Sequence, residues 1–568
     1  MDSRRFILAV ILMVAVMVVT NLLFPPARPT PGTNAADSAA VDTTVGGTPG
    51  STVPAAGQVS AQPDSQIPGP AAGTRPVTVG SAPAGPVDTV YVESDRYRYG
   101  FSTRGGALVH AAMLTHESFT GGENQPVDLA DIGGKPLVSY RVTVGDQTVD
   151  ISRLDFRPEP ASGFRVAMDG AQQLRLVHAD SAAGFAIDIE YGFVPDAYVI
   201  DTHVSVRGIG NRPAKLLIEM GPNIAQSEAD STDDARHRAY VLNPTNSGGL
   251  RSVKLPKLQQ TTTESGPFSW VALRSKYFVA ALLSSSVNPV PFGGVIAQPI
   301  RNALGADLTA TLLPAADGRF GFRMYVGPQE PDQLEAIGDR FKDVNPFGFS
   351  FLRPVLMPLG HALASLLYGM HNLLGISYGW VLIIFGILIR VLLWPLNAKA
   401  MRSQMKNMEM QPRIKEIQAR YKKEPEKLQK EMLRLYKEEG FNPMGGCLPM
   451  LIPFPILLTL YFVFANAIAF RGVEFLWLPD LSQHDPLYIL PIVLGVSMFA
   501  LQWLSSKSAG DQNPQMKIMM YTMPPFMTFI FLRFAAGLNL YYATMNLASI
   551  PQQIQIMRER QRLRAAKK

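Results

Sequence analysis

Arg390 is the residue of this chain with the most chemistry to offer, because a guanidinium stands six residues from the end of an otherwise apolar run, 378–396. At mid-bilayer a charged side chain costs roughly 2.5–3.5 kcal/mol on insertion scales. Two arrangements relieve that cost: a water-filled cavity around the cation, or snorkelling over ~9 Å of helix to the headgroups. A second polar set follows, since Asn539, Tyr542, Asn546, Ser549 and Gln553 stand 3, 4, 3 and 4 residues apart and share one helical face. Such a stripe either glues helices through hydrogen bonds or lines the same cavity as Arg390. Thr459 and Asn466, seven residues apart, add to either arrangement. These groups bind and orient; they do not form a catalytic set. The sequence has no G-x-x-x-x-G-K-[ST], H-E-x-x-H or G-x-S-x-G motif and no clustered Cys/His set, so it reads as a non-enzyme without metal or cofactor, and any work it does is not driven by its own nucleotide hydrolysis.

The elements that must position these groups are read from hydropathy and charge. The chain has 568 residues, 47% hydrophobic and 17% charged, so its apolar residues are concentrated rather than spread. Residues 1–24 read as an uncleaved transmembrane anchor: Arg4 and Arg5 precede the apolar run, and no small-residue cleavage site follows. Residues 25–86, rich in Pro, Gly, Ala, Ser and Thr, read as a disordered tether. Residues 87–338 alternate in short segments such as 88–93, 186–191 and 198–206, which predicts an all-β domain, a large sandwich. A lone cysteine, Cys447, means that no intramolecular disulfide holds it.

Apolar runs follow at 347–376, 378–396, 449–470, 487–504, 518–534 and 538–557. The segment 397–448 and the tail 558–568 are both strongly basic, which places both on the cytoplasmic side and points to a membrane protein and not to DNA binding. Parity then gives six crossings in total. The run 347–376, interrupted by Arg353, Pro354, Pro358, His361 and His371, is expected to lie at the outer interface with Leu359, Leu363, Leu366, Met370 and Leu373 on one face. The basic segment reads as a helical hairpin broken at Pro425. Met401, Met405 and Met408 lie on its first arm, and Leu428, Met432 and Leu435 on its second. These faces either pack together or offer an adaptable apolar surface, with the basic exterior available to ribosomal RNA or an acidic partner.

Gly386-Ile-Leu-Ile-Arg390-Val-Leu-Leu-Trp-Pro-Leu396, Phe441-Asn-Pro-Met-Gly-Gly-Cys-Leu-Pro449, Asp485-Pro-Leu-Tyr-Ile-Leu-Pro491 and Gly537-Leu-Asn-Leu-Tyr-Tyr542 stand in an order and spacing that resembles the YidC/Oxa/Alb insertase family. The N-terminal anchor and β domain match its Gram-negative form in layout, with Ser102-Thr-Arg-Gly-Gly106 a weaker local match. The resemblance implies an α-helical membrane protein of six transmembrane helices. Five of them form an insertase core, and the periplasmic domain resembles a β-supersandwich similar in shape to sugar mutarotases. It implies a bacterial inner-membrane location with both termini cytoplasmic. It further implies a hydrophilic groove with Arg390 in it, Tyr542 at a substrate-contacting position, and Gly386 where relatives carry a polar residue, which would widen the groove. Arg533 replaces a usual aromatic and is left out of the groove. Implied partners are nascent membrane proteins, the lipid bilayer, the Sec translocase, the ribosome and the signal recognition particle pathway.

Two rival readings stay open. A transporter or channel would explain Arg390 and the polar stripe, but no acidic residue lies inside the expected spans to pair with a mid-membrane cation. A membrane-anchored carbohydrate enzyme would need a convergent His and carboxylate pocket in the β domain. Within the insertase reading, the groove and hairpin are expected to be essential and much of the β domain dispensable.

Overall fold

The computed structural model describes residues 87–566 apart from 121–124, 131, 167–171, 181–183, 211, 247–248, 301–304, 349–351, 396, 399–412, 415, 423, 439–452 and 508–513. The expected anchor 1–24, the tether 25–86, and Met401, Met405, Met408 and Cys447 lie outside the described residues.

Alternation of period two produces the strands it predicts. Thr89–Glu93, Phe185–Phe193 and Val199–Arg207 match the quoted segments to within a few residues, and Val138–Val144 and Ala306–Leu312 bury every second residue. Among the described residues 19 strands form one hydrogen-bonded network. One long strand takes part in two regions of it. The first half of Thr262–Arg274 pairs with Phe292–Pro299, while its second half pairs with Ala239–Pro244 and Phe278–Ser284. A register shift between Ser265 and Phe268 separates the halves, as bulges do where a strand bends from one sheet to another.

The strands of the domain bury one core. The Phe101 ring stands 4.3 Å from that of Tyr191, and the Tyr191 hydroxyl donates to the Gly106 carbonyl at 2.6 Å and lies 3.0 Å from the Tyr140 hydroxyl, so this large buried aromatic does not leave its hydroxyl unsatisfied. Gly105 and Gly106 have φ of +81° and +62°, and a Cβ on Gly106 would stand 2.7 Å from Ile189 Cδ1. The Ser102–Gly106 motif is therefore a turn that only glycine allows, pressed against the core.

Helix α1 spans Arg353–Leu374, α2 Tyr378–Leu392, α3 Pro425–Glu438, α4 Pro453–Asn466, α5 Ile489–Lys507, α6 Pro514–Phe531 and α7 Ala536–Ala566. Gly375, in the left-handed conformation, ends α1 and its N–H caps the His371 carbonyl at 2.9 Å. The chain then bends by 118° into α2. Among the described residues no single helix is long and apolar enough to cross a membrane, and α1 with α2 pass that test only as a bent pair. The expected spans 449–470 and 378–396 are realised as helices of 14 and 15 residues, about 21–23 Å long at 1.5 Å per residue. Pro395 follows the end of α2, and the described part of α4 opens at Pro453. At the other extreme, α7 continues through the expected boundary at 557 into the basic tail.

The buried face of α1 runs beside the expected interfacial stripe. Leu356, Gly360, Leu363 and Leu367 are buried, whereas Leu366 and Leu373 are exposed. A leucine stripe one position round the helix draws the eye, while Gly360 carries no hydropathy signal. Yet Gly360 is the close-approach point, because a Cβ there would lie 2.5 Å from Phe347 Cζ and 3.4 Å from Thr459 Cγ2.

Helix α3 belongs to a compact unit of its own among the described residues. It begins at Pro425 as expected and is strongly amphipathic, with Leu435 buried and Leu428 and Met432 half-buried.

Candidate functional site

Helix α2 has two apolar faces. Val381, Leu382, Phe385, Gly386 and Ile389 are buried, and Trp380, Ile384, Ile387, Leu388 and Val391 are exposed. Arg390 stands at the seam between them, half-buried. Its Nη2 donates to Gln552 Oε1 at 2.6 Å, and Gln552 Nε2 in turn donates to the Trp394 carbonyl at 3.1 Å. Gln552 is 1% exposed. The Arg390 Nε is buried and has no hydrogen-bond partner among the described residues. A cation held by one neutral amide, with a further donor facing no acceptor, is an incompletely satisfied charge.

The polar stripe of α7 fans out over its neighbours. Asn539 Nδ2 donates to the Phe531 carbonyl at 3.1 Å, beyond the bend from α6, and the Tyr542 hydroxyl donates to the Leu457 carbonyl of α4 at 3.2 Å. Asn546 Nδ2 donates to Ser497 Oγ of α5 at 3.1 Å. Three members of the stripe therefore bond outside their own helix, which is the helix-gluing arrangement. Ser549 differs, since its Oγ donates to the Met545 carbonyl of its own helix at 2.6 Å. Gln552, one residue before Gln553 and about 100° round the helix, is the glutamine that reaches Arg390. Counting in threes and fours follows the middle of the stripe, whereas α2 lies at its edge.

Three further groove candidates are placed as follows. A Cβ on Gly386 would meet Thr544 Cγ2 at 3.4 Å and Tyr541 Cδ2 at 3.5 Å, so this glycine sits in the α2–α7 contact and does not widen an open space. Thr459, fully buried, faces Gly360 of α1. The Asn466 Nδ2 donates to the Phe462 carbonyl of its own helix at 2.6 Å. Arg533 is exposed just beyond α6.

Sequence reasoning passed over Arg471, which follows α4. Its side chain is 3% exposed and its Nε donates to Glu228 Oε1 of the β domain at 2.8 Å. The missed signal is a lone arginine in the stretch that links two expected apolar runs, where a charge calls for a particular partner.

The β domain has a cavity of about 350 Å³ lined by residues that include Thr245, Ser269, Trp270, Arg323 and Asp339, with no histidine among them. Its histidines pair separately, His110 with Asp128 at 2.8 Å and His116 with Glu330 at 3.8 Å. Among the described residues no group of three His, Cys, Asp or Glu is placed to hold a metal.

Residues 89–358 match the model of the YidC periplasmic domain, and residues 369–563 that of the 60Kd inner membrane protein. The membrane protein insertase YidC of Syntrophus aciditrophicus is 29% identical over 98% of this chain and 100% of its own. The protein of that name from Chlorobaculum tepidum is 30% identical over 87% of each chain, and that from Cupriavidus necator 31% identical over 89% of this chain and 90% of its own. A solved structure of an active YidC insertase, with its first transmembrane domain resolved, aligns over 82% of this chain and 93% of that one at 18% identity and a TM-score of 0.32. A galactose mutarotase-like protein from Lactobacillus casei aligns over 42% of this chain and 100% of its own at 10% identity and a TM-score of 0.30.

Proposed function

The chain belongs to the YidC family of membrane protein insertases, inner-membrane proteins with a periplasmic domain, and on that premise we propose that it inserts and helps fold nascent membrane proteins through the seam where α2 meets α7. Insertion is a transfer and not a covalent reaction, in keeping with the non-enzymatic function that its relatives' name describes. The observation that carries the reading is the state of Arg390: half-buried, bonded to Gln552 and, among the described residues, with Nε lacking an acceptor. A carboxylate or carbonyl near the front of an incoming segment supplies what that guanidinium lacks.

The polar stripe then acts by exchange. Asn539, Tyr542 and Asn546 give up bonds to neighbouring helices and take equivalent ones from the polar part of the substrate, so each swap is nearly neutral. The net drive is transfer of the substrate's apolar segment into lipid, about 25 cal/mol per Å². The membrane potential adds about 2.3 kcal/mol per 100 mV for each charge that crosses. The exposed apolar row of α2, Trp380, Ile384, Ile387, Leu388 and Val391, gives that segment a continuous path to acyl chains.

In this reading six segments cross, both termini are cytoplasmic and α1 lies along the outer interface, an orientation that its 118° bend from α2 supports. The basic hairpin that contains α3 faces the cytoplasm, where ribosomal RNA or the targeting machinery would meet it, and the Sec translocase is a partner for longer substrates. Site-specific photo-crosslinking of a stalled single-span nascent chain tests the groove. Probes at Tyr542 and Asn546 should capture the chain, and a probe at Leu547, which is 49% exposed, should not. Capture at none of the three, in correctly folded protein, leaves the stripe as helix glue and rejects the groove.

A further inference from the structure

The loop between α4 and α5 is built around one carboxylate. Asp485 is fully buried. Its Oδ1 accepts from Trp477 Nε1 at 3.2 Å and from the Leu487 N–H at 3.0 Å, and its Oδ2 accepts from the Leu490 N–H at 2.7 Å. It therefore caps the start of α5 and ties down two separate turns at once. The first turn is Phe475 to Leu478, whose end residues exchange both backbone bonds at 2.9 Å. Phe475 and Leu478 are buried, but the two residues between them, Leu476 and Trp477, are 72% and 37% exposed. The second turn presents Leu487 and Tyr488, 59% and 43% exposed.

Leu476 and Tyr488 both have φ of +56°, a conformation that large side chains seldom adopt and that glycine or asparagine would take more readily. Each turn thus holds a bulky apolar residue in a strained backbone and points it away from the core. Strain of this kind persists where the surroundings over-determine it, and it gathers at binding elements. Phe475 supplies the anchorage, because it packs so closely on the first turn of α2 that a Cβ on Gly379 would lie 2.1 Å from its ring.

We propose that Leu476, Trp477, Leu487 and Tyr488 form a rigid lipid-binding tip that sits in the outer leaflet at the boundary between headgroups and acyl chains. Lipid is the occupant because the tip continues the exposed apolar rows of α2 and of α5, where Ile489, Ile492, Val493 and Val496 are also exposed, and because an indole and a phenol beside aliphatic side chains suit that boundary. Preorganisation by Asp485 means that little conformational entropy is lost on lipid contact. The outer side is taken from the topology proposed above, so the test separates the two.

Cys447 is the one cysteine, and its replacement by serine allows single labels. With Leu476→Cys carrying an environment-sensitive fluorophore, the full chain is reconstituted in phosphatidylcholine and phosphatidylglycerol vesicles containing spin-labelled lipids. Shallow acyl-chain labels should quench strongly, deep ones severalfold less, and Asp485→Ala should weaken the depth dependence. In parallel, His484→Cys should react with an impermeant maleimide added to intact spheroplasts. Labelling from outside with no lipid quenching overturns the tip while the topology stands. Reaction only after lysis overturns the topology, and the outer-leaflet proposal with it.

Discussion

Arg471 and Glu228 stand 2.8 Å apart, with side chains 3% and 4% exposed, and they tie the end of α4 to the β domain across 243 residues of sequence. The Arg471 guanidinium also donates to the Ser227 carbonyl at 3.3 Å and lies 4.3 Å from the Phe119 ring. Burial holds the Glu228 carboxyl above its usual range, and the arginine offsets only part of that rise. Breaking such a pair strands a buried charge, which costs about 3–5 kcal/mol, whereas replacing both partners by neutral groups is often close to neutral. Glu228→Gln should therefore lower the melting temperature of the detergent-solubilised chain by several degrees, and Glu228→Gln with Arg471→Met should recover most of the loss. Equal melting of all three proteins would make the pair irrelevant.

The same contact governs the expectation that much of the β domain is dispensable. Deleting residues 87–338 leaves Arg471 without its carboxylate, so a failure to support growth after depletion of the parent protein would confound loss of a domain with a stranded cation. The deletion carrying Arg471→Met should reach higher membrane levels than the deletion alone. Full failure of both, at normal membrane levels, would show that the β domain itself is needed.

Gln552 and Gln553 differ by one position, and only the first reaches Arg390. Hydrogen bonds to charged groups are worth about 1.5–3 kcal/mol. Gln552→Leu should cut insertion of an acidic-headed substrate into proteoliposomes several-fold, while Gln553→Leu changes it by less than half as much. The reverse order would restore the stripe as sequence spacing drew it.

How far the molecule was legible follows the reach of each signal. Period-two alternation marked strands such as Val138–Val144 because one local pattern decides which side is buried. Arg390 was legible because a charge in an apolar run is rare whatever surrounds it. The partners were not: Gln552 lies 162 residues away, and which of two adjacent glutamines faces α2 depends on helix packing. Arg471 reads as an ordinary loop charge until the fold buries it, and the motif that Asp485 opens does not say which N–H groups its carboxylate caps. Gly360 and Gly386 carry no hydropathy, so the close contacts of α1 and α2 leave no trace in the pattern.

Glycines in α2 should respond oppositely to a methyl group. At Gly386 a Cβ meets its neighbours at 3.4–3.5 Å, an ordinary contact, while at Gly379 it falls 2.1 Å from the Phe475 ring. Alanine is the better helix former by up to about 1 kcal/mol, so Gly386→Ala should leave thermal stability unchanged or slightly raised. Gly379→Ala should lower it by an overpacking cost of about 1–3 kcal/mol. Similar melting of both variants would mean that Phe475 moves freely, and the rigid loop it anchors would lose its support.

Acid should loosen the β domain through two buried histidines. Burial, and secondly the Arg471 cation, push the His116 imidazole from 6.5 down to about 4. Burial likewise lowers His237 to about 4, although Asp233 opposes it. Above pH 6.5 both rings are neutral whether the chain is folded or not, so they leave stability unchanged there. Between pH 6.5 and about 4 the unfolded chain takes up protons that the folded one refuses, and each histidine then lowers stability by up to ~3 kcal/mol. The melting temperature should fall across that window, and His116→Leu should reduce the slope without changing where the fall begins. His116 packs edge-on against Phe278 at 5.7 Å, so leucine retains part of the apolar contact and the pH 7.5 value serves as the control. A slope in the variant equal to that of the parent would assign the acid loss to carboxylates and remove His116 from it.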